Sequence, residues 1–295
     1  MTRLFLVLLL GISASSTASI FIKLSDAPAL IIAAYRMVFA SLMLLPFACH
    51  QKVWRGWSKA NIGWLLLSGV FLSLHFAFWI GSLKYTSVAS SVVLVSTHPI
   101  FVGIGSWLFL KERLGINLIL GIGLSVLGSG LISFGDLSVS REAMAGDGLA
   151  LLGAMAVTGY FLVGRKMRRD QDLLSYIFSV YSTAGVVLVI IACLFKNPFF
   201  GHGASNYFLF FLLALIPQLI GHTSFNWALK FIPASLVAIT ILGEPVGSTL
   251  LAYFILGEGL TVWKVLGGAS IFFGILVALW RNKPGEKGQI SNPFE

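Results

Sequence analysis

SLKYTSVASSVVLVSTHPIFVGIGSWLFLKERL, residues 82–114, aligns without a gap on ALKFIPASLVAITILGEPVGSTLLAYFILGEGL, residues 228–260, at a constant offset of 146. Leu83, Lys84, Pro99, Leu110, Glu112 and Leu114 recur as Leu229, Lys230, Pro245, Leu256, Glu258 and Leu260. Beyond the quoted stretch, Leu120, Gly121 and Gly128 recur as Leu266, Gly267 and Gly274. Many other aligned pairs exchange one apolar residue for another. The chain is therefore a duplication: one half spans 1–140, the second 146–285, and 286–295 form a tail.

Composition says where such a chain lives. Of 295 residues, 57% are hydrophobic and 11% charged, whereas a soluble chain carries about 25% charged residues. A mean hydropathy of +0.92 leaves too little polar surface to coat a globule. A membrane helix needs about 20 apolar residues, and apolar runs fall at 4–23, 28–48, 62–83, 88–110, 117–134, 148–164, 174–195, 206–229, 234–256 and 262–280. Polar pieces such as HQKVWRGWSKAN, GDLSVSREAMAGD and RKMRRDQD separate them. Ten spans leave no room for a sizeable soluble domain. Any chemistry sits inside the bundle.

With the N-terminus placed in the cytoplasm, 14 Lys and Arg fall on the inner side and 5 on the outer, with Arg36 inside a span. That bias follows the positive-inside rule and requires an even number of spans, so both termini are expected in the cytoplasm of a multi-pass cell-membrane protein. The first run could also be a cleavable signal peptide, since Arg3, LFLVLLLGI and SASSTAS have that layout. A retained helix is preferred: Gly11, Ser15 and Ser19, spaced by four, make a small-residue face for packing or for a cavity wall.

Five spans per half turn the second half upside down relative to the first. Inverted repeats of this kind give secondary transporters two alternately accessible states. The expected fold is thus all-α and integral to the membrane, with ten transmembrane helices as two inverted five-helix repeats. The +9 charge is accounted for by the inner loops and does not point to nucleic acid. No GxxxxGK[ST] loop binds nucleotide phosphates, no HExxH holds zinc, and Cys49 and Cys193 have neither metal spacing nor a partner on the same face. No metal or cofactor is expected.

Candidate site residues are polar groups that a bilayer tolerates only inside a bundle. His98–Pro99 and Glu244–Pro245 stand at equivalent positions of the two halves. Each proline removes a backbone donor and breaks its helix, an arrangement allowed only against protein or a wet cavity. Spacing of four aligns Thr240, Glu244 and Ser248, and also Gln218, His222 and Asn226. Phe71, His75 and Trp79 form a third stripe. Trp79, Tyr160 and Trp227 could stack on a substrate or serve packing. Glu244 could bind a substrate ammonium or a coupling proton; His75, His98, His222, Gln218 and Asn226 would supply hydrogen bonds. Glu112 and Glu258 read as loop anchors. The stripes Gly121–Ser125–Ser129–Ser133 and Ser270–Gly274–Ala278 suit close packing, within one chain or across a homodimer.

With Lys23, Pro28 and Arg36 in KLSDAPALIIAAYR, His98–Pro99, KERL at 111–114 and GEPVGSTLLAYFILGE at 243–258, the chain resembles the EamA-type permeases of the drug/metabolite transporter superfamily over nearly its whole length. Gly259 stands where a basic residue usually follows Glu258, and the Trp-Gly common in the first span is absent. The resemblance implies export of amino acids or other small metabolites and a structural role for Arg36. A membrane-embedded enzyme built on the intramembrane His and Glu residues, or a passive channel, are the other readings of the same residues.

Overall fold

A computed structural model describes residues 2–83, 85, 86, 91, 94–132, 141–257 and 259–280. Among these the chain is helical, with no strand. The helices are α1 (Thr2–Lys23), α2 (Ala29–Gln51), α3 (Lys59–Ser82), α4 (His98–Leu110), α5 (Ile116–Ile132), α6 (Arg141–Met167) and α7 (Leu173–Leu194). There follow α8 (Ala204–Leu213), a π-helical stretch Ala214–His222, α9 (Thr223–Ala228), α10 (Ala234–Ile241), α11 (Gly243–Leu256) and α12 (Val262–Leu279). Residues 204–228 together are long enough for one span, and so are 234–255. Among the described residues, eight helices are long and apolar enough to cross a membrane; α4 and α5 are shorter apolar helices.

Local chemistry sets the ends. Ser58, Asp172 and Thr261 cap α3, α7 and α12 by accepting from the backbone N–H of Asn61, Ser175 and Lys264, which satisfies donors a helix start leaves open. Lys111 and Gly257 close α4 and α11 in left-handed conformation, their N–H groups donating to the Ser106 and Ala252 carbonyls. Two boundaries differ from the sequence reading. Within the run 88–110, a turn at Ser96 and Thr97 follows helical Leu94 and Val95, and α4 starts at His98, with Pro99 in its first turn, where a missing N–H costs nothing. The run expected at 148–164 begins at Arg141. Glu142 favours that earlier start through the helix dipole, Thr86 donates to the Asp147 carboxylate at 2.7 Å, and Gly146 lies flush against Thr86. Polarity alone had suggested a loop there.

α2 packs on α7, α3 on α6, α1 on the 204–228 span and on α11, α4 on α6, and α5 on α12. The small-residue stripes of α5 and α12 lie against each other. A Cβ at Gly121 would stand 2.5 Å from the Gly274 carbonyl oxygen and 2.9 Å from the Ala278 nitrogen, and one at Gly128 2.7 Å from the Gly267 oxygen. Ser125 donates to the Ile271 carbonyl at 3.3 Å. These stripes therefore meet within one chain. Overpacking costs roughly 1–3 kcal/mol where neighbours cannot yield, and backbone cannot. Gly121→Ala should lower the detergent-solubilised protein's thermal midpoint, whereas Gly123→Ala, with open space around its Cβ, should leave it unchanged. Equal melting of the two variants would remove this contact from the fold's requirements.

Large apolar side chains such as Phe109, Leu127, Phe254 and Phe272 remain exposed on the outside of the bundle. A bilayer would cover them. The chain is a multi-pass membrane protein.

Candidate functional site

A cavity of about 870 Å³ lies among α1, α2, α3, α4, α11 and the π-helical stretch. Its walls carry Ser15 and Ser19 from α1, Arg36 from α2, His75 and Trp79 from α3, His98 from α4, His222, and Glu244 and Ser248 from α11. It reaches Lys23, Leu83, Thr261 and Lys264 at helix ends on one side of the bundle.

Interrupted helices bring these groups together. α10 stops at Ile241 and α11 starts at Gly243, so Glu244 and Pro245 stand in the first turn of the new segment. Ser16 of α1 donates to the Glu244 carbonyl at 3.2 Å, and Ser248 donates back to the Ser16 carbonyl at 3.0 Å. On the other side, Pro99 has no N–H to give the Val95 carbonyl four residues earlier. His98 Nδ1 faces that carbonyl at 3.0 Å. A carbonyl only accepts, so Nδ1 carries the proton; His98 Nε2 is buried without a partner. His75 is held alike, its Nδ1 3.0 Å from the Gly153 carbonyl. Its ring stacks on Trp79 at 5.9 Å with 9° between planes.

Arg36 is the cation of the site. It is 1% exposed, its Nε donates to Gln218 Oε1 at 2.9 Å, and its guanidinium lies 4.2 Å from the Phe76 ring centre. Its Nη1 is buried without a partner, as are Ser15 Oγ and His222 Nδ1. Glu244 shares the cavity wall with Arg36, and the salt bridges among the described residues do not include this pair. The cavity thus offers donors at Arg36 and acceptors at Glu244 and His75.

The stripe expected from Gln218, His222 and Asn226 is divided. Pro217 lies within the π-helical stretch, and the Thr223 N–H donates five residues back to Gln218. A π turn is wider than an α turn, so spacing of four no longer means one face. His222 lines the cavity; Gln218 and Asn226 lie in a buried polar seam beside it. In that seam Asn226 Nδ2 donates to the hydroxyls of Tyr160 at 2.6 Å and Tyr181 at 3.2 Å, and Tyr181 bonds Thr223. Phe71 packs at Gly159, and Trp227 lies tilted against Phe231 with the Arg3 guanidinium 5.6 Å away, both apart from the cavity walls. Glu258 lies outside the described residues. The sequence reading missed the π-helical stretch, for which Pro217 was the available signal, and left Arg36 out of the site.

Among the described residues no group of His, Cys, Asp and Glu could hold a metal ion.

Apolar helices of spanning length around a charged cavity with interrupted walls make the architecture of a membrane solute carrier. The chain belongs to the EamA-like transporter family, whose pattern matches residues 1–134 and 144–280. It is 25% identical to an uncharacterized transporter of Archaeoglobus fulgidus, over 90% of this chain and 92% of that one. It is 26% identical to the uncharacterized transporter YdfC of Bacillus subtilis, over 91% and 87%. It is likewise 26% identical to mouse solute carrier family 35 member G1, over 86% and 72%. One crystal structure, 17% identical, shares the fold with a TM-score of 0.77 over 94% of this chain and 97% of its own. Family and relatives alike carry the names of transporters.

Proposed function

We propose that this protein is a secondary transporter that exports small zwitterionic metabolites, amino acids or related compounds, across the cytoplasmic membrane by alternating access. The observation that carries the reading is the cavity that holds Arg36 and Glu244 without a salt bridge between them. A zwitterion presents its carboxylate to Arg36 and its ammonium to Glu244, while His75, His98 and His222 complete the hydrogen bonds and Trp79 covers the apolar part. The buried Arg36 Nη1 gains the partner it lacks. A proton competing with the ammonium for Glu244 would couple the two movements.

Alternating access needs two related halves, and the packing supports them. The offset of 146 exchanges α1 with α6, α3 with the 204–228 span, and α4 with α11, while α2 maps onto α7 and α5 onto α12. Contacts follow the exchange: α3 on α6 matches the 204–228 span on α1, and α4 on α6 matches α11 on α1. α2 and α5 each pack on their own counterparts. Gly121 meets Gly274 and Gly128 meets Gly267, the crossed pairing of two antiparallel copies. On this reading α4, α5 and the eight longer helices are the ten spans, and the 14-to-5 charge bias puts both termini in the cytoplasm.

The test is flux in proteoliposomes with a panel of labelled amino acids, their decarboxylated amines and their deaminated acids. Saturable uptake and counterflow of the zwitterions, with weaker competition by either half-charged series, is expected. Unsaturable leak would make the protein a channel, and chemical conversion of a compound would make it an enzyme. In cells, a reporter active only in the cytoplasm should work when fused at residue 295; activity of a periplasmic reporter there would overturn the orientation.

A further inference from the structure

Away from the cavity mouth, the bundle is tied shut by charges. Arg165, near the end of α6, donates from Nε to Glu112 Oε1 at 2.9 Å; the two side chains are 9% and 5% exposed. Its Nη1 donates to the carbonyls of Leu229 at 2.7 Å and Lys230 at 3.1 Å. Arg169 Nη2 stands 3.7 Å from the same Glu112 oxygen. Arg168 donates from Nε to the Asn226 carbonyl at 3.1 Å and from Nη1 to the Gln171 carbonyl. Two arginines of one helix end thus grip the loop after α4 and the end of α9.

We propose that Glu112, Arg165 and Arg168 are the lock that holds the inner end closed while the cavity stands open at the other end; this rests on the alternating-access reading above. A buried ion pair is a poor permanent staple, because desolvation cancels much of its attraction. For the same reason it suits a contact that must open: hydration on opening offsets the lost pair, keeping the two states close in energy. The Glu112 carboxylate is only half used, with Oε2 buried and unpartnered, so opening also relieves an unsatisfied group. The lock is joined to the site. Asn226, gripped by Arg168 through its carbonyl, holds Tyr160 and Tyr181 with its side chain, and Tyr181 reaches Thr223 beside the π-helical stretch that carries Gln218, the partner of Arg36. Along this seam Asn226 Oδ1 and Gln218 Nε2 have no partner, as befits surfaces pressed together in one state and wetted in the other.

Thiol accessibility tests the lock without needing a substrate. In a chain carrying Cys49→Ser and Cys193→Ser, Ser19→Cys on the cavity wall is labelled in sealed vesicles of each orientation with an impermeant thiol reagent. With the lock intact, labelling should be fast from the mouth side. Arg165→Ala and Glu112→Gln should each shift the ratio of the two rates towards the inner side by roughly tenfold or more, as expected when one of two populated states loses a stabilising contact. Arg165→Lys, which keeps the charge but not the second arm to the Leu229 and Lys230 carbonyls, should give a smaller shift and serves if the alanine variant does not fold. Glu112→Arg combined with Arg165→Glu should recover part of the original ratio. Folded variants that keep the original ratio, while the unaltered lock still shows inner-side labelling during transport, would reduce these residues to fold support. Absence of inner-side labelling in every chain, with or without transported solute, would overturn the lock and alternating access together.

Discussion

Glu244→Gln should leave the protein folded, weaken zwitterion binding about tenfold to a hundredfold, and flatten its dependence on pH. The carboxylate makes a charge-assisted contact to an ammonium, and such contacts contribute about 1.5–3 kcal/mol, which converts to that range of affinity. Acid should weaken binding to the parent protein, because a proton at Glu244 displaces the ammonium; the glutamine has no charge to lose. Folding should survive because what ties this turn to α1 is the Glu244 backbone carbonyl, bonded by Ser16, and the Ser248 hydroxyl on Ser16. Binding measured across pH in detergent, beside gradient-driven flux in proteoliposomes, separates the roles. A pure substrate ligand loses affinity; a pure proton site keeps affinity and loses gradient coupling. Wild-type affinity, rate and pH profile in the variant would make the carboxyl structural.

Arg36→Ala should cost more still. Removing one member of a buried charged constellation costs about 3–5 kcal/mol, because Glu244 would lose its neighbouring cation and Gln218 would lose its bond. Transport should fall below detection and the thermal midpoint should drop. Arg36→Lys is the informative partner. It keeps a cation beside Glu244 but loses the planar fork that bonds Gln218, lies against Phe76 and still has Nη1 to offer. A folded Arg36→Lys protein should bind carboxylate-bearing substrates at least tenfold more weakly, with decarboxylated amines little affected. If both series weaken equally, Arg36 shapes the cavity and does not touch the carboxylate.

The sequence alone determined the class, the approximate course of the long spans and the places where helices break, because bilayer thickness and the missing N–H of proline act locally and leave a mark in composition and spacing. Glu244, His98, His75 and Trp79 could be nominated that way, since an ionisable or amphipathic group in an apolar run must face something other than lipid. What each one faces was decided by tertiary structure. The stripe 218–222–226 assumed α-helical winding, and the π-helical stretch at Pro217 divided it between the cavity and the seam behind it. Arg36 looked structural until the packing of α2 placed it on the wall of the same cavity as Glu244. Glu112 and Arg165, 53 residues apart, sit at helix ends where either charge would be equally content in water. Only the packing that excludes water from between them makes them a pair.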